Sequence, residues 1–263
     1  MKMRTCAVAG MFYPRDPSHL EQLLEKFFTG IKPSGINPLG IVSPHAGYIY
    51  SGQVAAHAFG AISPSFSGTF VIIGPSHRGF LTSVSAVPWE TPLGVVDTDE
   101  EFIGALGIGA DELSHRDEHS IEVQVPFIKY RFPRARIVPV MMGHQDPESA
   151  ARLAGAIEGA IRKTKREVRI VASSDFSHYV PADKAKDDDL YAIAALKNLD
   201  VPGFYTRVKE RGVSACGYGP IAAMVTTCRS LGATTGELIR YATSGDVTGD
   251  NREVVGYAGI AVI

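Results

Sequence analysis

The chain has 263 residues, 45% hydrophobic and 21% charged, with 27 glycines and 16 prolines. It is long enough for a sizeable core and too apolar for disorder or a fibrous repeat. Lys and Arg number 26 against 28 Asp and Glu, and this formal net charge of −2 offers no global basic field to nucleic acid or anionic lipid.

Three cysteines (Cys6, Cys216 and Cys228) cannot build a disulfide framework and fit a reducing compartment. No apolar run approaches the ~18 residues of a membrane span. The start through Tyr13 has the outline of a leader, but its apolar part is short, broken by Gly10, and runs into Pro14, Arg15 and Asp16. No signal peptide is therefore expected. A cytoplasmic protein with no nucleic-acid or membrane partner is the expectation.

In chain order, the first predicted helix is capped by Asp16, carries Pro17 at its first position and ends near Gly30, with Leu20, Leu23, Leu24 and Phe27 as its apolar stripe. Strands are predicted at Gly40–Ser43, Thr69–Ile73, Ile137–Met141, Val168–Ser173, Glu237–Thr243 and Val254–Val262. Helices are predicted at Gln53–Ala61, Ile121–Tyr130, Pro147–Arg162, Asp183–Asn198 and Tyr218–Ser230. This alternation predicts an α/β fold. The Pro/Gly clusters Lys32–Gly40 and Ile62–Gly68 are too short for interdomain linkers, so a single domain over residues 1–263 is expected.

Reactive residues gather just after predicted strands, where open α/β sheets place ligands. One group is Ser43, Pro44, His45, Ala46, Gly47 and Tyr48; a second is Gly74, Pro75, Ser76, His77, Arg78 and Gly79. A third runs from Ser173 through Ser174, Asp175, Phe176 and Ser177 to His178 and Tyr179. A lone histidine in such a loop is ordinarily structural. Three at equivalent positions point to a shared site.

Cys216 precedes the Gly217–Pro220 turn that opens a helix, whose positive end favours a thiolate; the opposite reading is a small buried residue. Cys6 and Cys228 are expected in the core. His119 and Glu122 lie three apart, on one face of a helix. With Gln124 they interrupt an apolar segment, which suggests a role facing substrate or behind the ligands, whereas Asp117 and Glu118 are explained by the helix dipole. Thr243–Asp246 and Asn251–Glu253 are turn formers. His19, His57, His115 and His144 are expected solvated or satisfied, Lys163–Arg169 forms a basic helix end, and Asp187–Asp189 a solvated acidic turn.

Taken together, Gly10–Pro14, Ser43–Tyr48, Gly74–His77, Asp117–Glu122, Ser173–Tyr179, Ala215–Gly217 and Ser244–Asp246 resemble the Memo family, through nearly the whole chain. The resemblance implies the fold of class III extradiol ring-cleaving dioxygenases, a mixed sheet flanked by helices on both faces. It also implies an iron-type metal held by His45, His77 and Cys216, where those dioxygenases have a carboxylate as third ligand. His178 matches their acid/base histidine, with Asp175 beside it. Tyr48 and Ser76 join His119 and Glu122 as residues expected around substrate. The family also suggests a functional link to a radical-SAM protein.

Two imidazoles and a thiolate leave coordination positions open, and suit Fe(II), Zn(II) or copper. The favoured function is a metal-dependent oxidoreductase acting on a small molecule or an O2-derived species. The alternatives are a cysteine hydrolase built on Cys216, His178 and Asp175, and a non-catalytic metal- or peptide-binding adaptor.

Overall fold

Capping and side-chain alternation position the elements around the site. The computed structural model describes residues 3–31, 35 and 37–263. Part of the expected loop Lys32–Gly40 therefore lies outside the described residues, as do Met1 and Lys2. Helix α1 (Pro17–Phe28) starts where Asp16 accepts from the His19 N–H at 2.9 Å, and it buries Leu20, Leu24 and Phe27. After β1 (Gly40–Ser43), α2 (Tyr48–Gly60) begins more than a turn before the predicted Gln53. Gly52 is not a breaker there. A Cβ at that position would meet the Phe27 ring at 2.4 Å, so the glycine lets the two helices approach.

Strand β2 (Thr69–Pro75) is followed by short pieces that the sequence pattern does not predict: β3 (Ser83–Val84), β4 (Trp89–Thr91), β5 (Gly94–Val96), α3 (Glu100–Leu106) and α4 (Glu112–Arg116). The single helix expected at Ile121–Tyr130 is two, α5 (His119–Glu122) and α6 (Val125–Arg131). Pro126 has no N–H to give the Glu122 carbonyl, which interrupts the helical ladder there, and a proline is tolerated in the first turn of α6. The chain continues through β6 (Arg136–Met142), α7 (Pro147–Thr164), β7 (Val168–Ser173), β8 (His178–Val180) and α8 (Ala182–Leu196). It ends with α9 (Val201–Arg211), α10 (Tyr218–Ser230), β9 (Gly236–Thr243), α11 (Gly245–Thr248) and β10 (Val254–Val262). Helix α9, also unpredicted, has ordinary signals: the Asp200 carboxylate accepts from the Gly203 N–H, and Gly212 ends the helix at φ +63°.

The eight-stranded sheet has the order β3-β6-β2-β7-β1-β10-β8, with β9 also on β10. The β6-β2-β7-β1 centre is parallel; β3, β8, β9 and β10 pair antiparallel. The molecule is thus one α/β domain with a mixed sheet. Side chains alternate across it. Phe70, Ile72, Ile41 and Val171 face a core completed by α1, α2 and α6, while Val71, Ile73, Val42 and Ile170 face one completed by α7, α8 and α10. Strands buried on both faces explain the near-continuous apolar runs. Among the described residues no helix is long and apolar enough to cross a membrane.

Three surface expectations are corrected by packing. Asp188 and Asp189 are buried, and Asp189 accepts from the Ser177 N–H and hydroxyl and from the Tyr241 hydroxyl. His115 is fully buried, its ring 6.0 Å from that of Trp89. The basic stretch is not one helix end either: α7 stops at Thr164, and Arg169 lies inside β7 with its guanidinium 4.7 Å from the Phe66 ring.

Candidate metal centre

Strands β2, β7 and β1 are adjacent and parallel, so their carboxyl ends release three loops along one sheet edge. His45, His77 and Asp175 ride on those loops, and Cys216 reaches them from the residue before the N-cap of α10. One ligand atom from each of His45, His77 and Cys216 can be chosen so that all lie within 4.8 Å of one another. The Cys216 sulfur is 3.1 Å from His45 Nε2. The His45 ring centroid is 5.2 Å from that of His77 and 5.4 Å from that of His119, and the latter two are 4.6 Å apart. These groups open onto a cavity of about 730 Å³ whose walls include Phe12, Tyr50, His178, Tyr179 and Tyr257.

The hydrogen-bond network assigns the tautomers. Ser173 Oγ donates its one proton to the Ser120 carbonyl at 2.6 Å and accepts from Gln124 Nε2 at 2.8 Å. Its remaining bond, to His45 Nδ1 at 2.9 Å, must be an accepted one. His45 therefore carries its proton on Nδ1 and turns a bare Nε2 toward Cys216. At His77, Nδ1 lies 2.9 Å from a Glu118 carboxylate oxygen, and the other oxygen accepts the His77 backbone N–H at 2.8 Å. Nε2 is again left free. An imidazole held through one nitrogen by a carboxylate or hydroxyl and offering the other is the ordinary arrangement behind a metal ligand.

Burial alone would raise the Glu118 carboxyl, but the His77 ring and the N–H groups of Ser120 and His77 bring it down to about 2. Burial, reinforced by the neighbouring His119 and His77, holds His45 well below its ordinary value, so the ring is neutral at physiological pH. The thiol does not follow the helix-end expectation: burial, with the Asp175 carboxylate adding to it, pushes Cys216 well up. Desolvation outweighs the dipole of α10 here. Burial also raises Asp175, whose carboxylate accepts the His45 backbone N–H at 2.8 Å.

His178 donates its backbone N–H to Ser214 Oγ at 2.7 Å, and its Nδ1 lies 3.0 Å from the Ser214 carbonyl. A carbonyl only accepts, so Nδ1 donates its proton there and Nε2 is left without a protein hydrogen bond. Neither contact links His178 to Asp175 or Cys216.

Of the four residues expected around substrate, His119 lines the cavity, with its ring 4.8 Å from that of Phe12. The other three are turned elsewhere. Glu122 is buried against Arg4 at 2.7 Å and accepts from the Ala7 and Val8 N–H groups and the Tyr13 hydroxyl. The Tyr48 hydroxyl donates to the Val123 carbonyl from within the core, and Ser76 Oγ accepts the Phe80 N–H. Sequence reasoning assigned Glu118 to the helix dipole and missed its hold on His77. It does cap α5, accepting the Ser120 N–H at 2.9 Å, and that local signal conceals the longer one. Glu118→Gln is expected to keep the fold and weaken metal binding by about 10–100-fold, read by competition with a chromogenic chelator. Unchanged affinity would show that Glu118 serves only as a cap.

Comparison with known proteins shows the family. Residues 4–261 match the family model described as Memo-like protein. A MEMO1 family protein of Methanosarcina barkeri is 48% identical over 99% of this chain and all of its own length. One from Methanosarcina mazei is 46% identical over the whole of both chains, and one from Methanothermobacter thermautotrophicus is 45% identical over 97% of this chain and 99% of its own. The chain belongs to the Memo family.

Proposed function

We propose that the protein is a metal-dependent redox enzyme of the non-haem iron type, acting on a small molecule or an O2-derived species, with His45, His77 and Cys216 as ligands. The observation that carries the reading is the pair of imidazoles held through Nδ1 by Ser173 and Glu118, both offering Nε2 beside a thiol at the base of a cavity. The donor set fits a divalent ion with open positions, Fe(II) first and Zn(II) or copper as alternatives. Bound there, such an ion supplies Lewis acidity and, if iron or copper, a redox couple.

The chain's own residues do the rest. Asp175 fixes the His45 loop through the His45 N–H. His178 takes up or delivers a proton at Nε2, and the aromatic walls keep water from the reacting end. The proposal places the enzyme in the cytoplasm, with a functional link to a radical-SAM protein.

A hydrolase needs Asp175 to orient His178 and His178 to face Cys216. Ser214, the His45 N–H and His45 Nε2 take up those contacts instead. Anaerobic purification followed by elemental analysis tests the proposal. A single ion per chain is expected, lost in His45→Ala and Cys216→Ser and kept in Cys228→Ser, whose thiol lies in the core. Equal loss in both cysteine variants would reduce the effect to general destabilisation. Full occupancy with no turnover of any redox substrate would favour the adaptor.

A further inference from the structure

Strand β8 pairs irregularly with β10. His178 lies opposite Val255 and Val180 opposite Val254, so Tyr179 is the extra residue of a bulge. Its φ is +57°, in the left-handed region. The left-handed position of such a bulge normally belongs to glycine, and a bulky residue there is an outlier.

Two of the other non-glycine residues with positive φ have local reasons: Lys165 ends α7, and Leu199 closes the turn after α8 with its N–H donating to the Leu196 carbonyl. Tyr179 has neither reason. The residue is 75% exposed, and its ring meets that of His178 at a centroid distance of 5.9 Å. What the unusual backbone achieves is to set an aromatic ring on the wall of the metal cavity, one residue beyond His178. Strain of this kind persists where it serves a site. A tyrosine also offers a large contact area for only two side-chain torsions.

We propose that Tyr179 is a specificity-determining residue, its ring lying against a flat, apolar part of a ligand whose polar end faces His45, His77 and Cys216. The cavity surroundings agree: Phe12, Tyr50, Tyr257 and Val255 also line it, so the ligand's body meets mainly apolar and aromatic surface and its reactive end meets the histidines. This inference rests on the metal-centre reading.

The test has two arms. In metal-free protein, Tyr179→Gly and Tyr179→Ala both lack the ring, and only alanine keeps the crowded Cβ. The glycine variant is expected to melt a few degrees above the alanine variant, the reverse of the usual order. In Zn(II)-loaded protein, calorimetry compares benzohydroxamate with acetohydroxamate, which share a metal-binding head and differ by the ring. Wild type is expected to bind the aromatic probe at least tenfold more tightly, and both variants to lose most of that preference at unchanged zinc content. A glycine variant melting at or below the alanine variant overturns the strain argument. Ring preference absent in wild type, or retained in both variants, overturns the contact. If zinc does not load, the metal-centre reading fails first and this one falls with it; if zinc loads and the ring makes no difference, this inference alone fails.

Discussion

His178→Ala is expected to keep its metal and lose turnover by about 10²–10⁴, the usual contribution of a positioned proton-transfer group. His45→Ala is expected to lose both. The reasoning is geometric. His45 Nε2 is 3.1 Å from the Cys216 sulfur, so removing that ring takes away a donor. His178 is tied through its backbone N–H and Nδ1 to Ser214 and lines the cavity without a contact to Cys216. The measurement is metal stoichiometry on matched, folded preparations, with turnover followed once a substrate is found. Occupancy falling as far in His178→Ala as in His45→Ala would make His178 a ligand and end this division of roles.

The largest expected loss of stability comes from outside the cavity. Glu122 and Arg4 form an ion pair almost wholly removed from solvent, with side chains 1% and 4% exposed. Glu122 also accepts from Ala7, Val8 and Tyr13, while Arg4 donates to the carbonyls of His115 and Glu118 and lies 4.0 Å over the Trp89 ring. Glu122→Ala leaves a buried guanidinium without its counter-ion and two N–H groups and a hydroxyl without an acceptor. Breaking a buried pair from one side costs about 3–5 kcal/mol, and melting should fall by ~10 °C. A loss below about 1 kcal/mol would mean that water enters and repairs the site. Glu122→Gln, which keeps an acceptor oxygen, should lose less.

The fold class was legible because the strands carry their signature locally. Thr69–Ile73 is largely apolar and β-branched because both sheet faces are covered, and Val168–Ser173 and Val254–Val262 have the predicted bounds. Asp16 and Pro17 marked the start of α1 for an equally local reason. Recognition failed where the partner is remote. The start of α2 was placed at Gln53 because its first turn packs through Gly52 against the remote Phe27, and Asp188 and Asp189 read as solvated until α8 is laid against the sheet. The short elements between β2 and α5 span too few residues to show a period.

The same division runs through the candidate site. His45, His77, Asp175 and Cys216 were legible because each stands at an element end, a position that sequence alone determines through strand pattern and turn residues. Glu122 and Tyr48 looked like site residues by their place in a motif, and the tertiary structure turned both into the core. Glu118 and Ser173 were hidden because their partners, His77 and His45, lie 41 and 128 residues away in the chain. Periodicity and caps are properties of neighbouring residues, so one sequence carries them. Which imidazole nitrogen is free, which carboxylate is buried and whether a thiol is desolvated depend on groups that only the folded sheet brings together, and those the tertiary structure decided.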